Sequence, residues 1–213
     1  MTVTQNKGIS GLMARTQEFD TGKALGDARR VFWDKGFEAT SITDLETATG
    51  LGRSSIYNGF GSKRGLFDAV IQDYMDTILR PRLSLLRDSS HANDGISNYL
   101  KSLSVDLAKA SEQTANRGCL LMNTAAGIAG NDEALRLLID GYQLELRDGV
   151  AGALHSMDPA QSDSLVLARA RIVAGLAMSA LLLARLNLAE ALATLEAAVG
   201  QVREWIPETL RVP

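Results

Sequence analysis

The chain has a single cysteine and two histidines in 213 residues. With Cys119 alone no intramolecular disulfide framework can form, and a reducing compartment is compatible with the composition. His91 and His155 stand far apart without cysteine partners, so no zinc-type ligand spacing exists and no metal or other cofactor is expected. There is no Gly-x-Ser-x-Gly, no lysine-bearing phosphate loop, no dinucleotide glycine fingerprint and no His-Glu-x-x-His, so no catalytic residue is assigned and an enzyme is not expected. Cys119 and His155 could be imagined as a nucleophile pair, but Cys119 runs into Leu120-Leu121-Met122, which favours a buried structural role. Residues 1–19 lack the apolar core of a signal peptide. The longest apolar run, Ile172 to Ala184, is 13 residues between Arg171 and Arg185, too short to cross a bilayer. A cytoplasmic protein without a membrane partner is expected. An excess of basic charge is missing too: 22 Lys and Arg against 25 Asp and Glu leave a net charge of −3, which excludes a protein that coats nucleic acid by bulk charge.

No β-alternation of useful length, internal repeat or low-complexity tract occurs, and the apolar periodicity is helical throughout. Its most informative stretch is residues 36–67, which reads as two short helices joined by a glycine turn and followed by the start of another. Ser41 suits an N-cap, with Asp44 placed three residues on to complete a capping box. Ile42, Leu45 and Ala48 form an inner face, and Gly50 falls where a left-handed residue must end the helix. Gly52-Arg53-Ser54-Ser55 then opens the next helix with small polar groups. A helix that enters the major groove reads bases with its N-terminal residues, where serine hydroxyls and an arginine can reach phosphates and base edges. Between Glu46 and Asp68 no acidic residue occurs, while Arg53, Lys63 and Arg64 are basic.

Ala28 to Phe67 resembles the N-terminal DNA-binding domain of TetR-family transcriptional regulators. The resemblance is carried by Ala28-Arg-Arg-Val-Phe-Trp-Asp-Lys-Gly36, Phe37-Glu-Ala-Thr-Ser-Ile42, Thr49-Gly-Leu-Gly-Arg-Ser-Ser-Ile-Tyr57 and Phe60-Gly-Ser-Lys63. Three positions depart from the usual pattern: Glu46 for a small residue, Gly59 for a larger one, and Arg64 for glutamate. Gly59 is expected to loosen the end of the recognition helix. The resemblance implies an all-α protein, with an N-terminal three-helix helix-turn-helix domain followed by a C-terminal helical ligand-binding and dimerisation domain. It also implies a double-stranded DNA operator, a small-molecule effector and a homodimer as partners. Residues 1–19 are expected to be a flexible arm, 20–67 the DNA-binding domain and 68–213 the ligand-binding and dimerisation domain. Helix starts and the resemblance together make Ser41, Thr43, Arg53, Ser54, Ser55, Tyr57, Asn58 and Lys63 the candidate DNA contacts.

The first helix is expected from Thr21 to Lys35, with Leu25, Ala28, Val31 and Phe32 inward and Gly36 as its stop. Ser62 caps a fourth helix that carries Leu66, Phe67, Val70, Tyr74 and Ile78 on one face and ends near Pro81. His91 to Gly95 and Thr114 to Gly118 read as breaks. Helical faces follow at Ile96, Leu100, Leu103 and Leu107, and from Leu135 to Leu154. Tyr74, Ile78, Leu103, Leu107, Cys119, Met122, Tyr142 and Leu146 are the candidate ligand-binding residues, because they belong to the middle helices. Leu188, Leu192, Leu195, Val199, Val202 and Ile206 repeat at steps of four and three, the seam of a helix packed lengthwise on another. With the small-residue helix before it, this seam is expected to build a four-helix dimer interface. The reading is a regulator of transcription, a repressor released by its ligand. The alternative is a helical small-molecule-binding or redox-sensing protein with no DNA target.

Overall fold

A computed structural model describes residues 20–87, 94–109 and 117–206. The expected N-terminal arm and the ends of both expected breaks, residues 91–93 and 114–116, lie outside the described residues. The elements are helices α1 (Thr21–Ala39), α2 (Ile42–Thr49), α3 (Arg53–Phe60), α4 (Lys63–Tyr74), a π turn (Met75–Leu79) and α5 (Arg80–Leu83). After a 3₁₀ turn at Ser84–Arg87 come α6 (Gly95–Lys109), α7 (Leu120–Gly127), α8 (Glu133–Met157), α9 (Asp163–Leu183) and α10 (Leu188–Trp205). Among the described residues there is no strand.

Local chemistry sets the boundaries. Asp20 caps α1 by accepting from the Lys23 N–H, and Gly36 breaks it with φ 75° and ψ 170° before one further turn. In α1, Ala28 and Phe32 are buried, while Leu25 and Val31 pack half-buried at the edge. Ser41 and Asp44 form the reciprocal capping box of α2, and Gly50, at φ 69°, ends it. The α3 helix runs through Gly59 to Phe60 without fraying and stops at Gly61. Phe32, Phe37 and Phe67 knit α1 to α4, with the Phe67 ring 4.9 Å from Phe32 and 5.0 Å from Phe37. Leu45 of α2 and Ile56 of α3 close the same core without exposure.

The fourth helix does not end at Pro81. It loosens into the π turn after Tyr74 and resumes as α5, where Pro81 sits in the first turn and its missing N–H costs no helical bond. Apolar faces of α6 and α8 are buried as the periodicity requires, including Ile96, Leu100, Leu103, Ile139, Leu146 and Val150. Helix α9 lies between α8 and α10, and α10 also packs on α6.

Two expectations change here. Leu195, Val199 and Val202 of the heptad seam are buried inside the protomer, because α10 uses that face against α6 and α9. The apolar surface left over is on α9, where Leu165, Ile172 (48% exposed) and Leu182 (43%) face outward, with Leu186 (86%) just beyond its end. Up to Leu183, the 13-residue apolar run also sits in a longer helix, of 21 residues. By length and composition α9 could cross a membrane, with mean hydropathy 1.8 in its most apolar window. It carries Arg169 and Arg171, however, and packs along α8 and α10.

Candidate nucleic-acid interface and buried tyrosine cluster

Four side chains on α3 share one exposed face: Arg53, Ser54, Tyr57 and Asn58. The spacing makes this so, since 53 and 57, and 54 and 58, are one turn apart. Ile56 points the other way into the core, and Ser55 is half-buried. The α3 N-terminus has only Gly52 as N-cap, so its side chain cannot satisfy the first N–H groups. Glu46 of α2 reaches across the turn instead, and its carboxylate accepts from the Arg53 N–H at 2.7 Å. This role for Glu46 was missed from sequence; the signal is an acid one turn before the end of the preceding helix, facing a glycine N-cap.

The other expected contacts are more committed. The Ser41 hydroxyl accepts from the Asp44 N–H (3.1 Å) and donates to the Asp44 carboxylate (2.8 Å), so it serves the cap. Thr43 is exposed beside it. Lys35 donates to Asp44 at 2.6 Å. That bond, then the Ser41 backbone N–H and hydroxyl, holds the Asp44 carboxyl well below the usual carboxylate range. Lys63 turns back onto the end of α1: its ammonium donates to the carbonyls of Phe37 (2.9 Å) and Thr40 (2.8 Å) and lies 4.4 Å from the centre of the Phe37 ring. One ammonium hydrogen is left over for a phosphate.

Three contacts tie this unit to the helices that follow. Arg64 bridges Asp68 (2.7 Å) and Asp132, the N-cap of α8. The Trp33 indole donates to the Arg117 carbonyl at 3.0 Å, and the Arg117 guanidinium pairs with Asp34 at 2.5 Å. None of these long-range partners is signalled by sequence spacing.

The candidate ligand residues come together. Tyr74, Leu103, Leu107, Cys119, Met122, Tyr142 and Leu146 are all buried in one core, and Ile78 packs half-buried against it. The Tyr74 hydroxyl donates to the Cys119 sulfur at 3.6 Å. Tyr99, which the sequence reading missed although it shares the face of Ile96 and Leu103, is buried in the same core as Tyr142. Burial pushes the Tyr99 phenol up to about 12 and raises Tyr74, Tyr142 and the Cys119 thiol as well. All four groups are therefore neutral at pH 7, and a buried neutral thiol is a poor nucleophile. Among the described residues no cluster of His, Cys, Asp or Glu could hold a metal ion.

A short helix capped by Ser41, a left-handed glycine turn and a second helix with an exposed polar N-terminal face form a helix-turn-helix unit. Residues 25–70 match the model of the family described as bacterial regulatory proteins, tetR family. The N-terminal unit is therefore similar to the DNA-binding domain of TetR-family transcriptional regulators. It is 30% identical over 130 residues to the transcriptional repressor BdcR of Escherichia coli K12, which covers 61% of this chain and 63% of that protein. It is 28% identical to the repressor ComR of the same organism, over 61% of this chain and 60% of ComR. These matches therefore span under two thirds of either relative. The TetR-family regulator CifR, solved as a cysteine mutant with a 26-base-pair operator DNA, superposes with a TM-score of 0.72 at 26% identity, covering 86% of this chain and 97% of CifR.

Proposed function

We propose that the protein is a repressor that binds a palindromic operator as a homodimer and leaves it when a small molecule binds. The observation that carries this reading is the face of α3, where Arg53, Ser54, Tyr57 and Asn58 are exposed and make no side-chain hydrogen bond within the described residues. Polar groups held without partners on a short rigid helix are suited to base edges and phosphates. Ser41, Thr43, Ser55 and Lys63 flank them as further contacts. Residues 20–67 act as the DNA-binding unit and 68–213 as the ligand-binding and dimerisation unit, with 1–19 as an arm. The relatives are named as repressors, and CifR was solved on operator DNA, which supports the same role here. The protein works in the cytoplasm and catalyses no reaction.

Dimerisation follows from the uncovered stripe on α9, whose apolar area needs a second copy to leave water. Half-sites of such dimers lie one helical turn, ~34 Å, apart, so a change in the spacing of the two α3 helices breaks simultaneous docking. The effector acts by preferring the non-docking arrangement, and a ligand that bound both equally would shift nothing. The cluster around Tyr74, Cys119 and Tyr142 is the effector site of this reading, opened by repacking of its buried side chains. A mobility-shift titration with the DNA upstream of the protein's own gene tests the whole reading. Saturable binding by the wild type, and binding about 100-fold weaker by an Arg53→Ala/Tyr57→Ala double variant, is expected. Equal affinity in the two would overturn it.

A further inference from the structure

A cavity of about 310 Å³ lies between the last turns of α1 and the helix α7, with the Trp33 ring, 5.2 Å from that of Tyr74, standing between it and the tyrosine cluster. Trp33, Phe37, Asn123, Thr124, Gly127 and Arg185 are among its walls. Its size is at the lower end for a small-molecule pocket. The chemistry of the lining is uneven in an informative way. Trp33 and Phe37 are half-buried aromatic rings from α1. The Asn123 amide nitrogen donates to the Arg117 carbonyl at 2.7 Å, whereas its amide oxygen is buried with no hydrogen-bond partner. Burying such an acceptor without a donor is costly, so a group that supplies one is favoured nearby.

The charged residues of the lining sort themselves by partner. Asp34 is held by Arg117, and Lys35 by Asp44. Arg185 makes no ion pair within the described residues. Its stem lies against Gly118, where an added Cβ would stand 2.9 Å from the Arg185 Cγ and 2.6 Å from the Leu181 carbonyl oxygen. The missing side chain at Gly118, which has φ +60°, therefore lets the end of α9 and Arg185 close on the start of α7. Glu38 is the remaining lining carboxylate and is exposed, without a partner among the described residues.

We propose that this cavity is a second ligand site, and that it takes a compact aromatic carboxylate. The ring lies against Trp33 and Phe37, the carboxylate pairs with the Arg185 guanidinium, and a donor group on the ligand satisfies Asn123. Arginine suits this role because its planar fork matches a carboxylate in two hydrogen bonds. The occupant would wedge the last turn of α1, and Lys63 grips that turn through the Phe37 and Thr40 carbonyls. Coupling of this site to operator release rests on the repressor reading; binding itself does not.

Fluorine NMR on the full chain without DNA tests the site, with 3-fluoro-4-hydroxybenzoate, whose phenol can donate to Asn123, as probe and 3-fluoro-4-hydroxybenzyl alcohol as its uncharged counterpart. The carboxylate is expected to bind saturably and about tenfold more tightly than the alcohol. Arg185→Ala should remove that difference and Glu38→Gln should enlarge it. Gly127→Leu should abolish binding of both, since a Cβ at Gly127 meets nothing within 4 Å and the added side chain can occupy the cavity. Matching thermal melts keep these variants interpretable. Absence of saturable binding, or full binding in Gly127→Leu, would overturn the site, and an unchanged preference in Arg185→Ala would overturn the ligand class. A mobility shift with and without the probe then reads the coupling separately. Probe binding with no change in operator affinity would remove the regulatory role and leave the site standing.

Discussion

Helices α3 and α9 leave opposite kinds of surface unmatched. On α3 the unmatched groups are polar: Arg53, Ser54 and Asn58 with the Tyr57 hydroxyl, all exposed and without side-chain hydrogen bonds among the described residues. Along α9 they are apolar, with Leu165, Ile172 and Leu182 turned to solvent. Water satisfies the first kind at little cost, so α3 can stay open until a polar partner arrives. It does not satisfy the second, so α9 is expected to be covered whenever the protein is folded. The difference separates a partner that comes and goes from one that stays. DNA fits the first description and a second protomer the second.

The largest effect should come from a residue that belongs to neither surface. Leu195 of α10 is fully buried between α6 and α9, so Leu195→Ala should cost about 2–5 kcal/mol of stability, read from denaturant unfolding. If Leu195→Ala kept full stability but split the dimer, the assignment of the seam to the protomer interior would be wrong. Next, Arg53→Ala combined with Tyr57→Ala should weaken operator binding by about 100-fold with an unchanged melting temperature, as base contacts are each worth ~1–3 kcal/mol. A drop in melting temperature of the same variant would place those side chains in the core instead. Ile172→Glu with Leu182→Glu should yield folded monomers in sedimentation, whereas a dimer surviving both charges would show that another face pairs. That variant should also lose the salt-steep operator binding of a two-site contact.

The smallest effect concerns pH. Asp44 has a folded-state carboxyl lowered from its ordinary value of 3.8 by Lys35 and the Ser41 cap. A depressed carboxylate contributes stability that is present above the unfolded value and is lost as pH falls through the folded one. Stability of the wild type should therefore decline below about pH 4, and Asp44→Asn, which retains an amide oxygen for the cap, should decline less over the same range. Parallel acid melts of the two proteins would remove Asp44 from the account.

Much of the N-terminal unit was legible in the sequence because its determinants are local. Ser41 with Asp44, Gly36, Gly50 and Ser62 each fix a helix end by chemistry within a few residues, and all four act as read. The heptad from Leu188 to Ile206 was legible as a seam but not as to its partner. A repeat of four and three says that a helix lies along another, and it is silent on whether that helix belongs to the same chain. Lys63 illustrates a third case. Its position beside the helix pair was visible, but two carbonyls at the end of α1 claim most of its donors. Ties such as Arg64 to Asp132 and Glu46 to the Arg53 N–H depend on the folded path of the chain, which no spacing rule supplies.

The π turn at Met75–Leu79 gives the long helix after Ser62 one surplus residue. A helix that stores a surplus residue can take it up or pass it along, and each residue wound or unwound turns everything beyond it by about 100°. Tyr74 lies just on one side of that slack, and Arg80 with Arg82 just on the other. A displacement beyond the slack, at Arg80 or Arg82, would thus reach Tyr74 and the DNA-facing end of the helix less as thrust along a strut than as torsion through a coupling with built-in play.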